Sequence, residues 1–197
     1  LQRECHLKPA SINRTLISLK CYFGWLVEEK QLSQNPAKVV KLLEQEESPP
    51  RHLSDQEEQG LVAAVTNAGS VRDRTLILLL LHTGLRASEA CTLRWDQVQI
   101  GKRSGLLQVV GKRNTYREVP LNSTARAVLL EYFAQIGGQS LYLFPSVKTR
   151  GALTERALGY IVTKYARLAK LTDVSPHDLR HRFGYRMAET VPLHRLA

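Results

Sequence analysis

The chain has 197 residues, of which 43% are apolar and 23% are charged, and its mean hydropathy is −0.24. This composition excludes a wholly disordered chain and allows one medium-sized domain or two small ones, each with its own core. The longest apolar run, residues 76–81, is far shorter than the roughly 20 residues that a membrane-spanning helix needs, so no membrane partner is expected.

The formal net charge of +10 is unevenly distributed along the chain. Residues 1–50 have 7 basic and 6 acidic side chains, so nearly all of the excess lies in residues 51–197. A basic excess in one module favours a polyanionic partner such as nucleic acid, although on charge alone a solvated basic surface is an equal alternative. The three cysteines, Cys5, Cys21 and Cys91, form no CxxC pair and indicate reduced thiols in a cytoplasmic protein.

The first predicted element is an amphipathic helix with Ser11 as its N-cap, because apolar residues recur from there at alternating steps of four and three. A second, short helix is predicted over residues 37–43. Residues 44–52 are acidic and then contain a proline pair, which is typical of an interdomain linker. The domain boundaries that follow are an N-terminal module at 1–47, a linker at 48–52 and a second module at 53–197.

The second module has the pattern of a mainly helical domain. Ser54 and Glu57 have capping-box spacing, which predicts a helix from there to about residue 65. Residues 72–82 are apolar on nearly every face, which predicts a buried helix that ends at Gly84. The other predicted elements are helices over 88–95, 123–135 and 154–168, strands over 106–110 and 116–121 around a turn at 111–114, and a last helix that begins at 175–176. The expected fold class is mainly α with a small antiparallel β-sheet.

Several basic side chains in this module form a pattern that suits a phosphodiester. Arg86 follows a predicted helix end, Lys112 lies in the hairpin turn, and His177, Arg180 and His181 project from one face of the last helix. Guanidinium groups bind non-bridging phosphate oxygens, and a lysine can protonate a leaving alkoxide. An arginine on the histidine face would repel a dication, so zinc at this histidine pair is disfavoured and no metal site is expected.

Taken one at a time, these residues have simpler interpretations. An arginine after a helix is ordinarily solvated or caps the helix, and a lysine in a turn is ordinarily only a soluble turn residue. His181 by itself is more often a hydrogen-bonded core residue than a proton carrier. The order and spacing of the segments that contain them therefore matter more than any single residue.

Three segments stand in a fixed order: residues 83–89 (TGLRASE) with 93–95 (LRW), residues 111–112 (GK) with 117–121 (REVPL), and residues 177–181 (HDLRH). Together they resemble the conserved boxes of the tyrosine recombinases, the family of phage integrases and Xer-type enzymes. Residues 11–36 are similar to the last helices of the family's core-binding domain. The resemblance implies a tyrosine-recombinase catalytic domain over 53–197, preceded by the C-terminal part of a helical DNA-binding domain over 1–47.

The resemblance also implies a site-specific DNA recombinase that breaks and rejoins DNA through a 3′-phosphotyrosine intermediate and needs no cofactor. Arg86 and Arg180 would bind the scissile phosphate and stabilise its transition state. Lys112 would protonate the 5′-hydroxyl leaving group, and His177 would hydrogen-bond the phosphate and assist proton transfer.

Further residues and partners follow from the same resemblance. Glu89 and His181 would hold the arginines in place. Candidate DNA contacts outside this centre are Asn13, Arg14, Lys20 and Arg113. The expected partner is double-stranded DNA, on which the full-length protein would assemble as a tetramer at paired sites.

The end of the chain departs from the family pattern. The family's nucleophilic tyrosine lies farther beyond Arg180 than this chain extends, and Tyr185 is too close to Arg180 to take that role. The chain also opens without methionine. We therefore expect a fragment that is monomeric and binds DNA without cleaving it. Two alternatives stay open: a non-catalytic DNA-binding accessory protein on the same scaffold, and a type IB topoisomerase, which the spacing of the boxes disfavours.

Overall fold

The computed structural model describes residues 7–44, 52–110, 116–136 and 140–190. The chain divides into two compact units, residues 1–49 and 50–197. Most of the predicted linker, together with Lys112 and Arg113, lies outside the described residues. None of the helices in the described ranges is long and apolar enough to cross a membrane.

The first unit contains one long helix, α1, at Pro9–Glu28. The predicted cap at Ser11 is wrong. The N-cap is Lys8 and makes no side-chain cap, because Pro9, whose fixed φ suits the first turn of a helix, already starts the element.

The segment after α1 folds back along the helix through side-chain bonds to its backbone. The Asn13 carboxamide donates to the Leu43 carbonyl and accepts from the Leu43 N–H, both at 2.8 Å. Asn35 accepts from the Ala37 N–H at 2.9 Å and donates to the Lys20 carbonyl. The helix predicted over 37–43 is wrong: turns cover residues 36–39 and no helix or strand follows up to residue 44, where the Asn13 side chain occupies the N–H and the carbonyl of Leu43.

The second unit is mainly helical with one small sheet. Its helices are α2 at Asp55–Ala68, α3 at Val71–Thr83, α4 at Ala87–Thr92, α5 at Ser123–Ile136, α6 at Glu155–Leu168 and α7 at Pro176–Thr190. Its strands are β1 at Val98–Ile100, β2 at Gly105–Val110 and β3 at Tyr116–Pro120, all antiparallel in the order β1-β2-β3. The strand β1 is additional to the predicted pair, because three residues are too few to show an alternating pattern.

Helix α4 is shorter than the helix predicted over 88–95. The chain leaves the helix at Leu93, whose carbonyl accepts from the Leu143 N–H at 2.7 Å, and Arg94 forms an isolated bridge with Tyr142. A 3-10 turn at Trp95–Gln97 then leads into β1. Pairing with a distant segment therefore overrides the local helical preference.

Helix α3 lies at the centre of the core, as its sequence predicts. Residues 76–81 are at most 5% exposed, and α3 packs against α2, α5 and α7. Burying a leucine-sized side chain contributes about 1.5–3 kcal/mol, so this one helix supplies a large share of the stability of the unit. It also fixes the position of the residues that follow it.

Helices α2 and α7 begin with specific caps. Ser54 and Glu57 form the predicted capping box, with N–H to oxygen distances of 3.2 and 2.8 Å. At α7 it is Asp178 that ties the start of the helix, because its carboxylate accepts from both the N–H and the hydroxyl of Ser175.

Gly84 joins α3 to α7. It ends α3 in the left-handed conformation, with φ of 59°, and its N–H donates to the Leu80 carbonyl. A Cβ at this position would lie 2.3 Å from a ring carbon of Phe183 on α7. Only glycine combines this backbone conformation with such a close approach of the two elements.

Candidate phosphate-binding site

Arg86 stands two residues beyond Gly84, at the N-cap of α4. Its side chain is 51% exposed, and its Nη1 donates to Glu89 Oε1 at 3.0 Å. Its backbone N–H donates to Glu89 Oε2 at 2.7 Å. The carboxylate of Glu89 thus fixes both the backbone and one guanidinium nitrogen of Arg86, and the other guanidinium nitrogens remain available to a ligand.

Arg180 reaches the same place from α7. Its Nη1 donates to the Gly84 carbonyl, across 96 positions in sequence. Burial and the neighbouring charge of Arg86 lower the pKa of Arg180, Glu89 opposes this effect, and Arg117 adds to it. The two guanidinium groups are therefore close enough to repel each other, and a bound anion would relieve this repulsion.

His177 completes the arrangement from the first turn of α7. It lines a cavity of about 420 Å³ together with Arg86, Ser88, Glu155 and Arg180. The starts of α4, α6 and α7 all border this cavity, and helix N-termini favour anions because their free N–H groups and dipoles point outward. His181 lies next to it, with its ring edge-on to that of His177 at 4.1 Å between centroids.

Glu89 is the buried centre of the charge network, with its side chain 4% exposed. It accepts from Arg86 and also from Arg117 Nη2, which lies at 2.7 Å. Burial raises the pKa of Glu89, but the hydrogen bonds from the Arg86 backbone and from Arg117 outweigh it and hold that pKa below the ordinary value. The carboxylate is therefore ionised at neutral pH and can hold both arginines.

Arg117 was not among the residues expected at the site. Its position two residues before the buried Val119 on β3 places both side chains on the same face of the strand. The register also pairs Arg117 with the buried Val109 of β2, so its guanidinium reaches the buried Glu89 although the side chain is 40% exposed. The sequence signal that could have found it is its position two residues before an apolar residue of the predicted strand.

The donor set suits an oxyanion rather than a cation. Within the described ranges no group of three or more His, Cys, Asp or Glu side chains could hold a metal ion. Arg86, Arg180 and His177 present N–H donors to one cavity. Such donors bind the oxygens of a phosphate at low reorganisation cost because they are held in place beforehand.

Comparison with known proteins decides the family. The family model described as the phage integrase family matches residues 51–197. The chain belongs to this family. The tyrosine recombinase XerC of Xanthomonas axonopodis pv. citri (strain 306) is 33% identical over 187 residues, which are 93% of this chain and 60% of that protein. The chain thus spans about 60% of the length of this curated relative.

Solved structures of integrases and Xer recombinases have the same fold. The XerH site-specific recombinase in a post-cleavage complex with a palindromic difH substrate has a TM-score of 0.80 at 22% identity, with 97% of this chain and 60% of that chain covered. The Tn1549 transposon integrase in complex with circular intermediate DNA has a TM-score of 0.77 at 21% identity, with 99% and 72% covered. The expected fold class, a tyrosine-recombinase catalytic domain that is mainly α with a small antiparallel sheet, is confirmed.

Within this family fold, none of the six tyrosines of the second unit is among the residues that line the cavity with Arg86, His177 and Arg180. Tyr132 and Tyr165 are buried, and Tyr185 stacks on His52 with 4.2 Å between ring centroids. The remaining three in this unit are Tyr116, Tyr142 and Tyr160.

The candidate DNA contacts on α1 differ in accessibility. Arg14 is exposed, and the ammonium of Lys20 donates to the Lys38 carbonyl at 3.4 Å. The prediction that Asn13 contacts DNA is corrected by the structure. It is 4% exposed and its carboxamide is engaged by the backbone of Leu43, so its role is to hold the segment that follows α1.

Proposed function

We propose that this chain carries the phosphate-binding part of the active site of a site-specific DNA recombinase, which breaks and rejoins DNA through a 3′-phosphotyrosine intermediate. The single observation that carries the proposal is the meeting of Arg86, Arg180 and His177 at one cavity. Membership of the phage integrase family supports the same reaction class.

The proposed roles follow from how each side chain is held. Arg86 is fixed by Glu89, and Arg180 is fixed by the Gly84 carbonyl, so both guanidinium groups are ready to receive the charge that develops on a pentacoordinate phosphate. His177 is exposed in the first turn of α7, where it can exchange a proton with the reacting oxygens. The general acid role of Lys112 rests on its place in the sequence.

Double-stranded DNA is the proposed partner. The net charge of +10 supports a polyanionic ligand, and both XerH and the Tn1549 integrase are described in complexes with DNA. We propose residues 1–47 as the C-terminal part of a helical DNA-binding domain and residues 53–197 as the catalytic domain. The complete recombinase would act as a tetramer on paired sites.

We further propose that these 197 residues alone bind DNA without cleaving it, because no tyrosine of the second unit is among the residues that line the phosphate cavity. A duplex that is nicked beside the scissile phosphate traps a covalent phosphotyrosine adduct, which survives a denaturing gel. The 197-residue chain is expected to shift this duplex in a native gel and to give no adduct. An adduct on any internal tyrosine would contradict this part of the proposal.

The second candidate is a DNA-binding accessory protein that uses the same scaffold without catalysis. The placement of the tyrosines is the observation that favours it. The product of the complete gene separates the two: a recombinase gives a covalent adduct with the nicked duplex, and an accessory protein gives none. A full-length chain that binds no duplex at all would exclude both.

A further inference from the structure

Arg117 is a charged residue of the site to which the proposed reaction gives no role. It lies on β3 in register with Val109 of β2, and its Nη2 is 2.7 Å from Glu89 Oε2. The acceptor is nearly fully buried, whereas the Arg117 side chain is 40% exposed. Exposed ion pairs contribute little, but a buried carboxylate that loses a partner is strongly destabilised, so this contact matters to Glu89.

The Glu89 carboxylate is shared between two arginines. Oε1 accepts from Arg86 Nη1, and Oε2 accepts from the Arg86 backbone N–H and from Arg117. Without Arg117, the buried carboxylate would retain Arg86 as its one guanidinium partner among the described residues. The Arg86 guanidinium would then be drawn towards Glu89 and away from the cavity.

Arg117 also joins two parts of the fold at this point. Its bond to Glu89 fixes β3 against the first turn of α4, where Arg86 is the N-cap. Its charge is felt by Arg180, whose pKa is lowered by burial, by Arg86 and, more weakly, by Arg117. Arg86 and Arg117 therefore share one buried carboxylate, and Arg180 lies within reach of the charges of all three groups.

We propose that Arg117 is a positioning residue for the phosphate site: by sharing the Glu89 carboxylate, it keeps the Arg86 guanidinium free to turn towards an oxyanion. This role rests on the proposed function, because it requires that a phosphate binds at Arg86 and Arg180. It differs from a direct role, in which Arg117 itself would contact the phosphate, and from a purely structural ion pair.

The first test measures how strongly Arg117 stabilises the ionised Glu89 carboxylate, and it needs no ligand. In the 197-residue chain, NMR follows the titration of the Glu89 carboxyl carbon and the amide of Arg86. R117Q is expected to raise the Glu89 midpoint by about one pH unit or more, the size of shift that one arginine causes in an adjacent carboxylate. R117K, which keeps the charge, is expected to preserve the midpoint.

The matched control for this test is R74Q. Arg74 pairs with Glu131 at the same distance of 2.7 Å, but away from the cavity, and the substitution removes the same charge. R74Q is expected to leave the Glu89 midpoint unchanged. An R117Q chain that folds and titrates like the R74Q chain would overturn the proposal.

The second test uses inorganic phosphate as the probe and the Arg86 Nε–H resonance as the readout. R117Q is expected to weaken phosphate binding about 10-fold, the equivalent of one charge-assisted hydrogen bond. R117K, which keeps a positive charge beside Glu89, is expected to recover most of this loss, because the carboxylate is then again shared between two cations. In the wild-type chain the Arg117 Nε–H resonance is expected to stay unchanged when phosphate is added, and a shift of that resonance as large as that of Arg86 would indicate direct phosphate contact and would overturn the positioning role.

The two tests separate the possible failures. A wild-type chain whose Arg86 and Arg180 resonances ignore phosphate and DNA would contradict the proposed function. The Glu89 titration would still show whether Arg117 governs the carboxylate. A normal phosphate response in wild type with no effect of R117Q would leave the proposed function intact and overturn only the role of Arg117.

Discussion

Replacing Gly84 by alanine tests how the fold brings the two arginines together. Gly84 has φ of 59°, and its carbonyl accepts the Arg180 guanidinium. An added Cβ would meet the Phe183 ring at 2.3 Å, a separation that real side chains do not adopt. The substitution therefore introduces backbone strain and a steric clash at the contact between α3 and α7.

The magnitude has two parts that can be separated. The left-handed conformation costs a non-glycine residue about 1–2 kcal/mol. Overpacking against Phe183 adds about 1–3 kcal/mol. We therefore expect G84A to lower the free energy of unfolding by about 2–5 kcal/mol, which is a large part of the roughly 5–15 kcal/mol that a domain possesses.

Urea denaturation followed by circular dichroism measures this loss, and G184A is the matched control. Gly184 follows Phe183 on α7, and nothing lies within 4 Å of its added Cβ, so G184A is expected to be neutral or to stabilise by about 0.5–1 kcal/mol. In an F183A background the cost of G84A should fall to the conformational part alone. The reasoning is refuted if G84A costs less than about 0.5 kcal/mol, or if its cost is the same in both backgrounds.

Three further predictions concern charge, pH and thiol reactivity. DNA binding is expected to weaken steeply with salt, with a slope near −0.9 in log K against log salt for each phosphate contact. In a filter-binding assay, the double variant Arg86→Ala/Arg180→Ala is expected to bind DNA only modestly more weakly than wild type, because most phosphate contacts lie along the flanking duplex. Complete loss of binding in that variant would mean that the catalytic centre supplies most of the contacts. Because the folded pKa of Glu89 lies below its ordinary value, its ionisation stabilises the fold above the unfolded pKa, and this contribution is lost as the pH falls through the folded pKa. E89Q should therefore flatten the acid limb of the stability–pH curve, and an unchanged limb would contradict the assignment. Burial raises the pKa of Cys91 to about 12, so a disulfide reagent at pH 8 should modify the exposed Cys21 and spare Cys91, as peptide mapping would show.

Local sequence determined most of the helices of the second unit, because their signals act within a few residues. The capping box at Ser54 and Glu57 and the left-handed stop at Gly84 are satisfied by neighbours in the chain. The unbroken apolar character of residues 76–81 requires burial on all sides, which the centre of the domain provides.

The elements that depend on distant partners could not be predicted from the local sequence. Turns replace the helix predicted over 37–43 because Asn13, far away in sequence, binds the backbone of Leu43. Helix α4 ends early because Leu93 pairs with Leu143. No pattern within either segment records these contacts.

The candidate site was also predictable only in part. The sequence by itself selected Arg86, His177 and Arg180 as candidates, because guanidinium and imidazole groups suit a phosphate, and it added Glu89 through the resemblance of its motif to the family. Only the tertiary structure brought Arg180 to the Gly84 carbonyl, since that contact depends on the packing of α7 against α3. The tertiary structure likewise paired Arg117 with Glu89 and buried Asn13 against the backbone of Leu43. Neither contact could be predicted, because a hydrogen bond depends on where two groups meet in the fold and not on either residue alone.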